Sequence, residues 1–270
     1  MSIVYTIIVA FVLALILGLL LGVFKKLFFV PVDEKVERVR EALPGSNCGG
    51  CGYAGCDAYA AAVAEGAPTN ACVAGGPSVA AAVAAAAGSA AQAIEQKVVV
   101  LACQGVKERA ADKAEYNGVP SCAAAKIAVG GTKLCPYGCI GFGDCASVCN
   151  FGALSMGDDG LPKVDYAKCI GCGSCVKACP NALFALVPAS QTGSVALCSN
   201  RTTNKPSVLK SCKAGCIKCG KCETTCPNGA IKVTNGVPVT DYAKCVSCGK
   251  CVAACPTKVL KLTKDVLQTA

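Results

Sequence analysis

The chain has 270 residues, with 24 cysteines, no histidine and no tryptophan, and 26 Lys and Arg against 17 Asp and Glu. Without histidine there can be no Rieske centre, no His-ligated haem and no Ser-His-Asp set. No G-x-x-x-x-G-K-[ST] run is present to cradle a phosphate, and no substrate-transforming pocket is legible. Residues 3–24 then provide 22 successive positions without a charge. As a helix they reach about 33 Å, enough to cross a hydrocarbon core. A signal peptide would need a basic start and a small-residue cleavage site. Here the first charges, Lys25 and Lys26, follow the span, and no A-x-A site comes after them. Lys25 and Lys26 mark the cytoplasmic side by the positive-inside rule. The expectation is a single-pass anchor over 1–26 in the cell (inner) membrane, with the N-terminus outside. The bulk of the chain then lies in the cytoplasm, where thiols stay reduced.

Cys48, Cys51, Cys56 and Cys72 follow with the spacing C-x2-C-x4-C-x15-C. Gly49, Gly50, Gly52 and Gly55 let the loop fold close around a metal centre. An Ala-rich helix over 57–65 returns the chain so that Cys72 can close the set. Four sulfurs suit a [4Fe–4S] cluster, and a four-Cys zinc site tolerates the same gaps. Residues 78–93, nearly all Ala and Val, predict a short packed helix that closes a domain over 33–94.

Buried strands ending in cysteine are predicted at 98–103 (VVVLAC) and 194–198 (SVALC). They open two similar modules, 97–190 and 194–270. Three stretches read C-x2-C-x2-C-x3-C: Cys169, Cys172, Cys175, Cys179; Cys216, Cys219, Cys222, Cys226; and Cys245, Cys248, Cys251, Cys255. Pro180, Pro227 and Pro256 follow the fourth cysteines. This is the bacterial ferredoxin run, which wraps [4Fe–4S] clusters in soft thiolate. In the two-cluster form, the fourth cysteine of each run ligates the other cluster. Cys216, Cys219 and Cys222 are thus expected with Cys255, and Cys245, Cys248 and Cys251 with Cys226. Three cysteines within seven residues fit structural zinc poorly, and disulfides need an oxidising compartment.

The first module is altered. Residues 133–149 align with 210–226: Lys133 and Cys135 match Lys210 and Cys212, and Cys139, Cys145 and Cys149 match Cys216, Cys222 and Cys226. Phe142 stands at the place of Cys219, and Asn150 at that of Pro227. The duplication has therefore lost one ligand. Cys135 is the nearest free sulfur, so Cys135, Cys139 and Cys145 are expected with Cys179, and Cys169, Cys172 and Cys175 with Cys149. Cys122 or Cys103 are the alternatives. Cys103, Cys122, Cys198 and Cys212 are left over, as buried small hydrophobes or as further ligands. About five clusters result, each carrying −2 with its thiolates, so together they offset the formal charge of +9. That removes the nucleic-acid reading that a basic chain invites.

Taken together, E-x-LPGxNCGxCGYxGC over 41–56, ACQG over 102–105 and CxYGCxGxGxC over 135–145, ahead of further ferredoxin runs, resemble the B subunits of Rnf complexes. The resemblance implies an α+β chain: a transmembrane helix, a small four-Cys [4Fe–4S] domain and two tandem 2[4Fe–4S] ferredoxin modules. It implies a subunit of an ion-translocating ferredoxin:NAD oxidoreductase with no catalytic residues of its own. Soluble ferredoxin, or flavodoxin, would supply electrons, and the other membrane and peripheral subunits would receive them, with Na⁺ or H⁺ as the pumped ion. Two other readings stand beside it. One is a relay for another membrane reductase, such as one that resets a redox regulator. The other is an assembly module whose metal sites are structural.

Overall fold

A computed structural model of the chain describes residues 2–28, 33–190 and 192–268. The expected outer limits at Met1 and Ala270 lie outside them. Helix α1 (Ser2–Leu27) is unbroken, and its described side chains are all exposed. Among the described residues it is the one helix long and apolar enough to cross a membrane, with mean hydropathy 3.2 over Val4–Leu27. An apolar surface this long and bare needs lipid or a partner to cover it.

Three short helices then pack together: α2 (Glu34–Ala42), α3 (Cys56–Ala64) and α4 (Gly76–Ala87). Asp33 caps α2, its carboxylate accepting from the N–H of Lys35 at 2.8 Å. Val39, Val63 and Val83 meet Tyr59 in the core between the helices, each valine contributing about 1.5–3 kcal/mol of burial. Helix α4 stops at Gly88, whose φ of 71° is left-handed. The helix ends there, and residues 89–96 lie outside any helix or strand.

The first module opens with β1 (Lys97–Leu101) and continues through α5 (Cys122–Val129), α6 (Asp144–Ser147), β2 (Leu154–Met156), β3 (Pro162–Val164), α7 (Ser174–Ala178) and β4 (Phe184–Pro188). Strands β1 and β4 pair antiparallel, Val99 opposite Leu186, and clasp the ends of the module. Strands β2 and β3 form a hairpin inside it.

The second module repeats the plan with β5 (Ser194–Ala196), α8 (Lys205–Ser211), α9 (Lys221–Thr225), β6 (Ile231–Thr234), β7 (Val237–Thr240), α10 (Lys250–Ala253), β8 (Leu260–Leu262) and α11 (Thr263–Gln268). Here β5 pairs with β8, and β6 with β7. The β6–β7 turn is Asn235-Gly236, both at positive φ (50° and 74°), the geometry that matches strand twist in a two-residue hairpin. Both opening strands end before the cysteine that the sequence assigned to them. The N–H of Ala102 turns to the carbonyl of Leu183 (2.6 Å) and that of Leu197 to Val259 (2.9 Å), which leaves Cys103 and Cys198 in the loops beyond.

Because the described side chains of α1 are all exposed and none is buried in the rest of the fold, the chain shortened to begin at Asp33 should be soluble without detergent and keep its full iron content. Iron analysis of the two forms checks this. Loss of iron from the shortened form would make α1 a folding element.

Candidate iron–sulfur centres

All 24 cysteines are free thiols, and they gather in groups. In the N-terminal domain, the side-chain oxygen of Asn47 accepts from the N–H of Cys56 at 2.8 Å and starts α3 there. The Tyr59 hydroxyl donates to the carbonyl of Pro68 (2.8 Å) and accepts from the N–H of Ala71 (3.2 Å), holding the chain where Cys72 returns. Burial pushes the Cys72 thiol up, opposed by the N–H of Gly75. Cys56 and Cys72 share the buried core with Cys51 packed against it, and Cys48 lies in the same neighbourhood.

The ferredoxin modules contain cavities ringed by thiols. One, with about 370 Å³ of empty space, is lined by Cys226, Cys245, Cys248 and Cys251. A second, about 330 Å³, is lined by Cys149, Cys169, Cys172 and Cys175. In both, the fourth cysteine of one run faces the three close-set cysteines of the other. Cys216, Cys222 and Cys255 pack in one core, with Cys219 beside Cys222.

Short helices aim these thiols. Helices α6, α7, α9 and α10 each begin after a glycine at positive φ (Gly143, Gly173, Gly220, Gly249). Gly171 has φ 69°, and a Cβ there would stand 2.1 Å from the carbonyl oxygen of Lys97. Only glycine lets this run lie against β1.

The sulfurs are also hydrogen-bonded. Cys149, Cys179 and Cys226 each accept from the backbone N–H four residues on, at 3.3, 3.5 and 3.3 Å. At Cys226 burial works to raise the thiol pKa, but the N–H groups of Ala230, Asn228, Ile231 and Gly229 outweigh it and favour thiolate. Deeper thiols go the other way. Burial pushes Cys139 and Cys175 up to about 12, and Cys145 and Cys222 to about 11. Loading such thiols with metal releases their protons.

These donor sets fit a cluster better than one metal ion. Tetrahedral zinc would draw its sulfurs to about 3.8 Å of one another. Among the described residues no three His, Cys, Asp or Glu side chains are grouped closely enough to hold a single ion. The thiols instead ring voids with apolar walls.

The altered loop of the first module differs from expectation. Cys139, Cys145 and Cys179 line a cavity of about 360 Å³, and the fourth thiol there is Cys122, not Cys135. Cys135 lines a separate cavity with Cys103, Cys198 and Cys212. Cys122, one of the alternatives the sequence left open, lines this cavity because it begins α5, which is pinned to α6. The Asp144 carboxylate accepts from the N–H groups of Cys122 (2.9 Å) and Ala123 (3.0 Å) and from the hydroxyl of Ser121 (2.9 Å). Phe142, in the place of the lost cysteine, packs edge-on against Tyr116 at 5.7 Å. Burial alone would raise the Asp144 carboxyl, but these three donors hold it below the usual carboxylate range. Sequence reasoning missed Asp144. The one signal for it was Ser121 ahead of the Ala-rich stretch 122–129, a helix start that places Cys122 in a first turn.

The cysteine loops approach one another. A Cβ on Gly50 would stand 3.1 Å from Cα of Cys172, so the N-terminal loop lies against the run of the first module.

Comparison with known proteins agrees with this arrangement. A family model of an Fe-S cluster domain matches residues 43–74, and one of a 4Fe-4S dicluster domain matches 138–183 and 215–259. The chain is 50% identical over 220 residues to the B subunit of the Na⁺-translocating ferredoxin:NAD⁺ oxidoreductase complex of Acetobacterium woodii, covering 81% of this chain and 66% of that protein. It is 42% identical over 219 residues to the B subunit of the proton-translocating complex of Clostridium ljungdahlii, covering 80% and 76%. To the B subunit of the ion-translocating oxidoreductase complex of Methanosarcina acetivorans it is 41% identical over 220 residues, covering 81% and 83%. Its thiol-lined cavities, its iron–sulfur domains and these likenesses together make the chain a member of the B-subunit family of ion-translocating, Rnf-type oxidoreductase complexes.

Proposed function

We propose that the chain is the membrane-anchored electron relay of a ferredoxin:NAD oxidoreductase that drives Na⁺ or H⁺ across the membrane. It takes electrons from soluble ferredoxin, or flavodoxin, and passes them to the other subunits. The observation that carries this reading is the set of thiol-lined cavities, each walled by apolar side chains and N–H donors.

Three sets of ligands line shared cavities: Cys149, Cys169, Cys172 and Cys175; Cys122, Cys139, Cys145 and Cys179; and Cys226, Cys245, Cys248 and Cys251. Neighbouring thiols support two more: Cys48, Cys51, Cys56 and Cys72; and Cys216, Cys219, Cys222 and Cys255. A [4Fe–4S] cluster, when bound, supplies a one-electron couple whose potential follows charge, hydrogen bonds and exposure. The chain's own residues set those terms. Backbone N–H groups stabilise sulfur charge, while Leu154, Val164 and Phe184 exclude water from the first module's core. Residues 3–24 hold no Asp, Glu, Lys, Arg or His, so the ion path belongs to other subunits. Lys25 and Lys26 favour a cytoplasmic location for everything that follows them.

Anaerobic full-length chain mixed with reduced ferredoxin should take up several electrons, seen as bleaching of the visible absorption and new low-potential EPR signals. Clusters that stay oxidised under these conditions would be structural, and the relay reading would fall.

The ligand sets predict which variants share a spectrum. Cys255→Ser should disturb the same signal as Cys216→Ser, and Cys226→Ser the same signal as Cys245→Ser. Cys122→Ser should match Cys139→Ser. Grouping of Cys255 with Cys245 would mean that each run closes its own cluster.

Asp144→Ala should cost about 1–2 kcal/mol, as loss of a helix cap does, and loosen Cys122. Urea unfolding gives the stability change. The carboxyl of Asp144 ionises more readily folded than unfolded, so its contribution is complete above about pH 4 and is lost on acidification through the lower, folded pKa. A difference between Asp144→Ala and the unaltered chain that persists at the lowest pH would contradict this role.

A further inference from the structure

We propose that Cys103, Cys135, Cys198 and Cys212 hold a sixth [4Fe–4S] cluster at the seam between the two ferredoxin modules, where it carries electrons from one module to the other. The inference rests on the iron–sulfur reading above and extends it to thiols outside the matched stretches 138–183 and 215–259.

These four thiols come from four separate segments and line one cavity of about 350 Å³, a size close to that of the run-lined cavities. A single point beside Gly105 lies 3.5 Å from Sγ of Cys103 and 3.9 Å from Sγ of Cys212. The seam is clamped at the same place. Ala110 bridges to Cys212, the N–H of Ala111 donates to Ser211 (3.0 Å), and that of Lys213 donates to Arg109 (2.8 Å). The Ser199 hydroxyl donates to the carbonyl of Ala102 at 3.1 Å.

Every sulfur has an N–H donor, as the sulfurs of the run-lined cavities do at Cys149, Cys179 and Cys226. Cys103 accepts from Gly105 (3.4 Å) and Cys198 from the N–H of Cys216 (3.4 Å). Cys135 accepts from the side-chain amide of Asn200 at 3.4 Å, and Cys212 from the backbone of Ala214. Asn200 is 2% exposed, and its own carbonyl oxygen is used by the N–H of Thr202 at 2.8 Å. Its amide is thus committed to the sulfur.

A buried charge stands in the same wall. Lys133, 8% exposed, is the one buried charged side chain among the described residues. Its ammonium donates to the carbonyl of Gly105 and lines this cavity beside Cys212, with Cys139 also near it. A cluster with four thiolates carries a net −2, which suits a wall that holds a cation. The sulfurs are not grouped tightly enough for a single zinc ion.

The location fits a bridge. Cys103 packs against the core of Cys139, Leu161 and Leu183 on one side. Cys198 shares a core with Cys216 and Cys222 on the other. One electron leaves a reduced neighbour, whose core returns from 1+ to 2+, and reduces the bridging core from 2+ to 1+. No bond or proton changes hands. With this site all 24 cysteines fall into sets of four.

The test is elemental analysis of the anaerobic full-length chain beside its Cys198→Ala/Cys212→Ala variant. The unaltered chain should contain about 24 iron and 24 sulfide, and the variant about 20 of each, with the signals of the Cys216 and Cys139 sets retained. A content of about 20 in the unaltered chain, with four thiols open to rapid alkylation, would overturn the proposal. So would about 20 iron together with one zinc. The count from the unaltered chain decides the matter even if the variant does not fold. Failure of the relay reading would look different: clusters present in full number that ferredoxin does not reduce.

Discussion

The architecture depends on one requirement, that thiols from distant segments meet around a shared, apolar-walled cavity. The modules have little else to hold them. Their ladders are three to five residues long, and cysteine takes up a large share of the inner cores: Cys145 and Cys175 beside Val99, Leu154, Val164 and Phe184 in one, and Cys198, Cys216, Cys222 and Cys251 beside Ile231, Val259 and Leu260 in the other. Two-stranded ladders of this size are marginal in water. Filling the voids with iron and sulfide would tie the segments together covalently, so metal loading and folding are coupled. The small sheets act chiefly to close each module on itself.

The two modules show how a ligand can be exchanged without losing the site. In the second, Cys219 belongs to the run itself. In the first, Phe142 takes that place and turns to Tyr116, while Cys122 arrives on α5 from an inserted stretch. Asp144 makes the exchange possible, because its carboxylate binds the first turn of α5 directly to the first turn of α6. The same insertion carries residues 109–111, which pair with the second module. One stretch thus repairs a cavity and joins two modules.

Electrostatics follow the same logic. The excess of lysine and arginine looks like a nucleic-acid footprint until the thiolate clusters are counted against it. Lys133 is buried among thiols, its ammonium donating to the carbonyl of Gly105. The backbone N–H groups at Cys226 and Cys255 favour thiolate without a formal charge. At each, burial acts to raise the thiol, and the N–H donors outweigh it.

The amino-acid sequence alone determined the iron–sulfur chemistry, the repeat and the apolar span. Each is local: C-x2-C-x2-C-x3-C places three sulfurs within one tight loop, and an uncharged run of helical length needs no distant contact to be read. It also indicated that the fourth cysteine of a run crosses to its mate, and Cys149 and Cys226 do line the opposing cavities. What only the tertiary structure decided was the grouping of the isolated cysteines. Cys135 was assigned to Cys139 because four residues separate them, yet Asp144 draws Cys122 into that cavity. Cys135 instead faces Cys103, Cys198 and Cys212. A lone cysteine carries no spacing signal. Its partners depend on how β1, β5, α5 and α8 pack, and that packing rests on hydrogen bonds between residues far apart in the chain.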